Sequence, residues 1–447
     1  LVFGKWLVSN SFLLQAKLSA HFPKFRFHFW LNYQVALLKN NSTFSLRFAI
    51  SILLWAVIFA LSAHPSVTWG DGLGYVMAAE SGFDWGTNAN SHFLYLNFAH
   101  LLSILFPGIW LGNLMTGLSL VSSLLVLALT YEIGKKWKND ATGLWALHIL
   151  GSCFTFWRHA CTIEVYAFEL VFWALCFWFL LQFFQNKKWH WFAFFTLYHA
   201  IGLLVHIHLI LIFPVYLLLF LKKIRFPVLG LASYLLPVLV VFVSVNYMKT
   251  NTLNQVFFDA IQDKMLDISV LGVLKGSLFI LVLLGILSPG IWILLLGVFL
   301  SKKLNLRLWI GDLFLQTMLL VLIVVLGFAS LYPDPGIHVF LLPGFLVLAF
   351  AVGNLAASFF SNKWYSMVYP VFQVLLFYGF FRMYEWMHPV PNTALELKGG
   401  PGYLFLPWAR GNISSVLEVA EKLAPTEFPP SLKWNLDMAR QYQKKEK

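Results

Sequence analysis

The chain has 447 residues, of which 60% are hydrophobic, 18% aromatic and only 11% charged, with a formal net charge of +12. So little charge over this length excludes a soluble globular domain. The basic excess is broken into short clusters between apolar runs, which excludes a single nucleic-acid-binding face and marks membrane orientation instead. Cys153, Cys161 and Cys176 sit in or near apolar runs with neither disulfide nor zinc spacing.

In chain order, residues 1–46 are basic and aromatic and contain no Asp or Glu. They are expected to lie on the cytoplasmic leaflet, where cations meet anionic lipid. The first long apolar run begins near position 48, too deep for a cleaved leader. Roughly twenty apolar residues cross a bilayer as a helix, so about eleven spans are predicted, making the chain an all-α polytopic membrane protein. They fall near 47–63, 112–133, 142–157, 165–185, 189–205, 209–221, 227–247, 274–300, 308–328, 339–358 and 364–384. Ser288-Pro289-Gly290 is expected to kink or break the long run at 274–300. The transmembrane domain is thus residues 47–384.

Lys135, Lys136 and Lys138 share one loop, Lys187 and Lys188 another, and Lys222, Lys223 and Arg225 a third; Lys302, Lys303, Arg307 and Lys363 follow. Every second loop is basic, on the side of the N-terminus, which predicts N-in and C-out. The acids Asp71, Glu80, Asp84, Glu164, Asp259, Asp263, Asp267 and Asp334 map to the other side. There the first outer loop runs from 64 to 111. It opens on the Gly-rich stretch Trp69-Gly70-Asp71-Gly72-Leu73-Gly74-Tyr75, and Asp71 can cap a short helix through Ala79. Residues 94–102 are expected to form a helix in the interface plane. From 385 to 447 the composition turns polar, and two tail helices are predicted, from Asn412 to about Leu423 and from Ser431 to about Gln443.

Ionisable groups near membrane depth are costly and therefore functional candidates. Arg158-His159-Ala160-Cys161-Thr162-Ile163-Glu164-Val165-Tyr166 lies on the outer side between the third and fourth spans. It suits a phosphate pocket, or a connecting loop in which Arg158 and Glu164 pair. Glu169, one turn and a residue further, is taken as structural. His206 and His208 end the fifth span and suit a phosphate contact; at i and i+2 of a helix they point apart, which argues against a simple metal site. Asp334, in Tyr332-Pro333-Asp334-Pro335, is a turn residue by composition. Asp71 alone suits either a cap or a catalytic base.

These motifs, in this order, resemble the GT-C glycosyltransferases, membrane enzymes that use polyprenyl-phosphate sugars, and in particular the bacterial branch grouped with protein O-mannosyltransferases. The resemblance covers roughly residues 47–358. It rests on Asp71 opening a short helix, Leu94-Tyr95 opening the next, Glu164-Val165-Tyr166, Gly202-Leu203-Leu204 followed by His206 or His208, and Leu341-Leu342-Pro343 after the Tyr332 turn. Two positions depart from the family pattern: Asn88-Ala89-Asn90-Ser91 stands where His-Pro-Pro-Gly is expected, and Gly74 where an acid is expected.

The resemblance implies inverting transfer of a sugar, such as mannose, from a polyprenyl phosphate to an acceptor hydroxyl of a protein or glycan, at the outer face of a bacterial inner membrane. Asp71 is then the general base, and Arg158, His159, His206 and His208 bind the donor phosphate, supported by Tyr75, Glu164 and Tyr166. No cofactor and no divalent metal is expected. Two rivals are a structural subunit of a membrane complex that keeps this fold without activity, marked by the Gly74 departure, and a lipid or solute transporter. The transporter needs an internal repeat, and none is evident.

Overall fold

The computed structural model describes residues 46–63, 71–83, 92–222, 269–300, 311–331, 335–360 and 364–387, together with Asp437 and Arg440 in the tail. The segment before Leu46, the span expected at 227–247, the Asn88–Ser91 stretch, Asp334, the Lys302–Arg307 cluster and the tail helices proper lie outside the described residues. The chain divides at Ile50 into two compact units. Of the first only residues 46–50 are described, the opening of a helix; everything below concerns the second.

The described residues hold fourteen α-helices and no strand. In chain order they are α1 (Leu46–Ser62), α2 (Asp71–Glu80), α3 (Phe93–Leu105), α4 (Leu111–Trp137), α5 (Asp140–Gly151), α6 (Phe154–Cys161), α7 (Val165–Asn186) and α8 (Trp189–Val205). A 3-10 helix, Ile207–Ile212, leads into α9 (Phe213–Leu221). Then come α10 (Val270–Leu287), α11 (Pro289–Leu300), α12 (Leu313–Leu331), a second 3-10 helix at Pro335–Leu341, α13 (Leu342–Phe359) and α14 (Tyr365–Met387). Five stretches are long and apolar enough to cross a membrane: Leu111–Trp137, Val165–Asn186, Val270–Leu287, Leu313–Leu331 and His338–Phe359. On α1, Leu53, Val57 and Leu61 stay exposed, as do Val270, Leu274, Leu278 and Leu281 on α10. Apolar faces of this size on a helix are stable only against lipid, so the chain is an integral membrane protein.

Most predicted spans match helices, but 142–157 does not. It divides at Ser152-Cys153 into α5 and α6. Ser152 returns its hydroxyl to the His148 carbonyl at 2.6 Å, closing α5, and Cys153 is extended. Every residue from Thr142 to Gly151 is buried. Ten consecutive residues covered by protein form a core helix rather than a span, and hydropathy cannot tell the two apart.

Small residues let this core helix in. A Cβ on Gly134 of α4 would come within 2.9 Å of Gly143 Cα on α5, and one on Gly353 of α13 within 2.8 Å of Ala146 N. Backbones approach this closely only where side chains are absent. Asn139 caps α5, its side chain accepting the Thr142 N–H at 2.9 Å. The polar His148 inside is fully bonded: Trp55 Nε1–H donates to Nδ1 at 3.2 Å, leaving Nε2–H to donate to Ser51 Oγ at 2.9 Å.

The break expected at Ser288-Pro289-Gly290 is present between α10 and α11. Pro289 begins α11, and the freed Gly290 N–H donates to Gln373 Oε1 of α14 at 2.8 Å.

Candidate functional site

Asp71 is the first residue of α2 and is exposed. The helix is seated by Gly72, whose absent side chain lets the Ile163 carbonyl approach to 2.8 Å of where a Cβ would stand. That contact sets Asp71 beside the residue after Ile163, which is Glu164, the extended residue before α7. A Cβ on Gly74 would meet nothing within 4 Å, so the expected acid is missing from an open position, not from a packed one.

Glu164 is buried and joins three elements: Ser119 Oγ–H of α4 donates to its carbonyl at 3.4 Å, and its carboxyl feels both Asp71 and Arg158. Burial, reinforced by the Asp71 charge and opposed by Arg158, pushes the Glu164 carboxyl up to about 8. At neutral pH it therefore holds a proton. Its Oε2 has no hydrogen-bond partner in the protein.

Arg158 and His159 lie in the last turn of the short helix α6 and are both buried. Burial, with the Arg158 and His338 charges adding to it, drops His159 well below the usual histidine range. The ring is thus a neutral hydrogen-bonding group and not a cation. Neither of its nitrogens has a hydrogen-bond partner, an unusual state for a group this deep. It packs edge-on to Tyr166 at 5.3 Å between centroids and is stacked on His338 at 6.1 Å.

A chain of rings continues the site. Tyr166 lies 5.4 Å from His206, which stacks on His92 at 4.9 Å, and His92 meets the Tyr75 ring at 5.1 Å. Tyr75, one turn after Asp71, also packs on Tyr95. The sequence candidates Asp71, Tyr75, Arg158, His159, Glu164, Tyr166 and His206 are thereby brought together through contacts of neighbouring rings and charges.

His208 turns elsewhere. Its Nδ1 lies 3.0 Å from Glu169 Oε1, which also accepts the Trp173 indole N–H at 2.9 Å. His206 Nδ1 lies 3.7 Å from Glu169 Oε2. The spacing argument that these histidines point apart fails because they do not share an α-helix: His206 is extended, with φ −158° and ψ 132°, and His208 is in the following 3-10 helix. The sequence left His92 unremarked, placed His338 only at the end of a turn by composition, and took Glu169 as structural. His92 carried one signal, its place two residues before Leu94-Tyr95. His338 carried none, because its partner His159 is remote in sequence.

No family model matches the chain, and no curated protein matches it. Among solved structures, ArnT from Cupriavidus metallidurans bound to undecaprenyl phosphate is similar at 15% identity with a TM-score of 0.57, over 88% of this chain and 84% of that one. ArnT from the same organism in the apo state gives 15% identity and a TM-score of 0.49, over 68% of this chain and 59% of the other. At such identity the first likeness speaks to architecture alone. The chain shares its membrane fold with that undecaprenyl-phosphate-bound ArnT structure.

Proposed function

We propose that the protein transfers a sugar, a hexose such as mannose, from a polyprenyl phosphate to an acceptor hydroxyl on a protein or glycan, with inversion. The observation that carries the reading is the buried pair Arg158 and His159, with both His159 nitrogens lacking partners, set against the Asp71–Glu164 carboxyls. Support comes from the shared fold with a structure bound to undecaprenyl phosphate. A bacterial inner membrane suits such a carrier, with the N-terminus inside and the site outside.

In this reading Asp71 takes the proton from the acceptor hydroxyl as its oxygen bonds to the anomeric carbon. The bond from that carbon to the phosphate oxygen breaks on the opposite face, and the electron pair leaves with the phosphate. A phosphate needs no strong acid to depart if donors meet its charge, which is the part for Arg158 and for the neutral N–H groups of His159 and His206. His208 contributes through its neighbour His206, whose Nδ1 accepts the His208 amide N–H at 3.0 Å. Glu164, its carboxyl pushed up to about 8 by burial, holds its proton beside Asp71 and so does not compete with it as a base. With Gly74 in place of a second acid, the reaction is proposed to run without a metal at Asp71.

The test is release of polyprenyl phosphate by the purified full chain from a panel of polyprenyl-phosphate sugars. Asp71→Asn keeps the shape but removes the base, so turnover falls at least about 10²-fold while donor still binds. Full activity in Asp71→Asn overturns the assignment. A wild-type chain that is inactive with every donor and co-purifies with a stoichiometric partner replaces the enzyme with a structural subunit.

A further inference from the structure

Glu169, His206 and His208 are all buried, and one ligand atom from each lies within 4.8 Å of the others. It is the one such group of metal-ligating side chains among the described residues. We propose that these three residues form a binding site for a divalent transition-metal ion of the zinc type. The site shares His206 with the proposed donor-phosphate site, but it rests on its own geometry and its test reads bound metal and not sugar transfer.

The donor set comes first. Two imidazoles and a carboxylate suit a borderline-soft cation such as zinc and are poorly matched to magnesium or calcium, which favour oxygen. Geometry is the second support. Bonds of about 2.0–2.2 Å in a tetrahedron put neighbouring ligand atoms roughly 3.4 Å apart. Glu169 Oε1 stands 3.0 Å from His208 Nδ1 and its other oxygen, Oε2, 3.7 Å from His206 Nδ1, so both rings face the carboxylate at distances on either side of that value. Ligation exchanges two hydrogen bonds for the ion: the one from His208 Nδ1 to Glu169, and the one His206 Nδ1 accepts from the His208 amide. Trp173 Nε1–H remains on Glu169 Oε1 and holds the carboxylate in place, as an outer hydrogen bond does at metal sites.

Charge is the third. Glu169 lies within the first turns of α7, a helix long and apolar enough to cross the membrane. A carboxylate at that depth is costly unless a positive charge neutralises it. A divalent ion does so while leaving both imidazoles neutral. It also ties α7 to the bend where α8 passes into the 3-10 helix, and so fixes the ring of His206.

The experiment uses the full chain carrying an affinity tag other than polyhistidine, purified in detergent without added metal. Metal content by mass spectrometry should approach one zinc per chain. Treatment with a zinc chelator should lower the unfolding temperature, and Zn2+ should restore it where Mg2+ does not. Glu169→Gln and His208→Ala should each reduce bound zinc at least about tenfold and abolish the response to the chelator. Should the variants fail to fold, chelation and reloading of the wild-type chain decide alone. A wild-type protein that neither carries zinc nor is stabilised by it overturns the proposal, leaving a proton shared between Glu169 and the histidines. Zinc held equally by Glu169→Gln places the ion elsewhere and overturns it too.

Discussion

The two ends of α4 treat polar groups in opposite ways. Near its C-terminus, Asp312 accepts from Trp137 Nε1 at 2.8 Å, from Lys138 Nζ at 2.7 Å and from the Leu315 amide at 3.0 Å. Both carboxylate oxygens are used, and α12 is capped in the same stroke. Roughly 27 Å away, at 1.5 Å per residue from Trp137 back to Ser119, the Glu164–His159 region leaves three buried side-chain atoms without partners. A fold that satisfies its polar groups at one end and leaves them open at the other is built to receive something at the second.

The comparison is broken most forcefully at the open end. Arg158→Ala should weaken donor binding about 10- to 100-fold, the equivalent of one charge-assisted hydrogen bond at roughly 1.5–3 kcal/mol, and lower turnover besides. Titrating binding of a polyprenyl-phosphate sugar measures this, and unchanged affinity removes Arg158 from the phosphate site. It also separates Arg158 from Asp71, whose amide variant loses turnover and keeps affinity.

At the satisfied end the effect belongs to stability. Asp312→Ala removes a helix cap and should cost about 1 kcal/mol, within a range of roughly 0.5–2 kcal/mol. Burial raises the Asp312 carboxyl, but the bonds from Lys138, Leu315 N–H and Trp137 outweigh it and hold the group below 3.8. Its folded value is thus depressed, so the stabilisation is present above pH ~4 and is lost as pH falls through the folded value. Thermal unfolding across that range should show wild type and Asp312→Ala converging in acid. A constant gap at all pH values would tie the loss to shape and not to charge.

The most diagnostic change concerns Glu164. The folded carboxyl stays protonated up to about 8, whereas the unfolded one ionises near 4.5. Between those values the folded state binds more protons, so raising pH through the window lowers stability. Glu164→Gln should flatten that slope. A slope that persists in the variant assigns it to another group.

Much of the architecture was legible because it rests on periodicity and local chemistry. The Trp189–Val205 helix coincides with its predicted span, and the break at Ser288-Pro289-Gly290 follows from proline's missing N–H. Asp71 as the first residue of a short helix was visible as a cap in a Gly-rich turn. Hidden were the features that depend on distant contacts. The burial of 142–151 needs α13, and a hydropathy window does not see it. The convergence of His206 and His208 on Glu169 depends on an extended residue between two helices. The proton on Glu164 comes from its burial and from the charge of Asp71, remote along the chain, and is held against the opposing charge of Arg158.

The enclosure of α5 bears on how the molecule is assembled. One flank is covered by α4, made just before it, and the other by α13, which leaves the ribosome about two hundred residues later. Until then a twelve-residue helix too short to span the bilayer has one bare side at Ala146, where Gly353 of α13 later packs. Biogenesis must therefore hold α5 in a provisional setting, against lipid or an insertion factor, and the late docking of α13 is the step that commits the chain. Truncation before Leu342 should leave a protein that inserts yet is degraded, since the helix at its centre never finds its second wall.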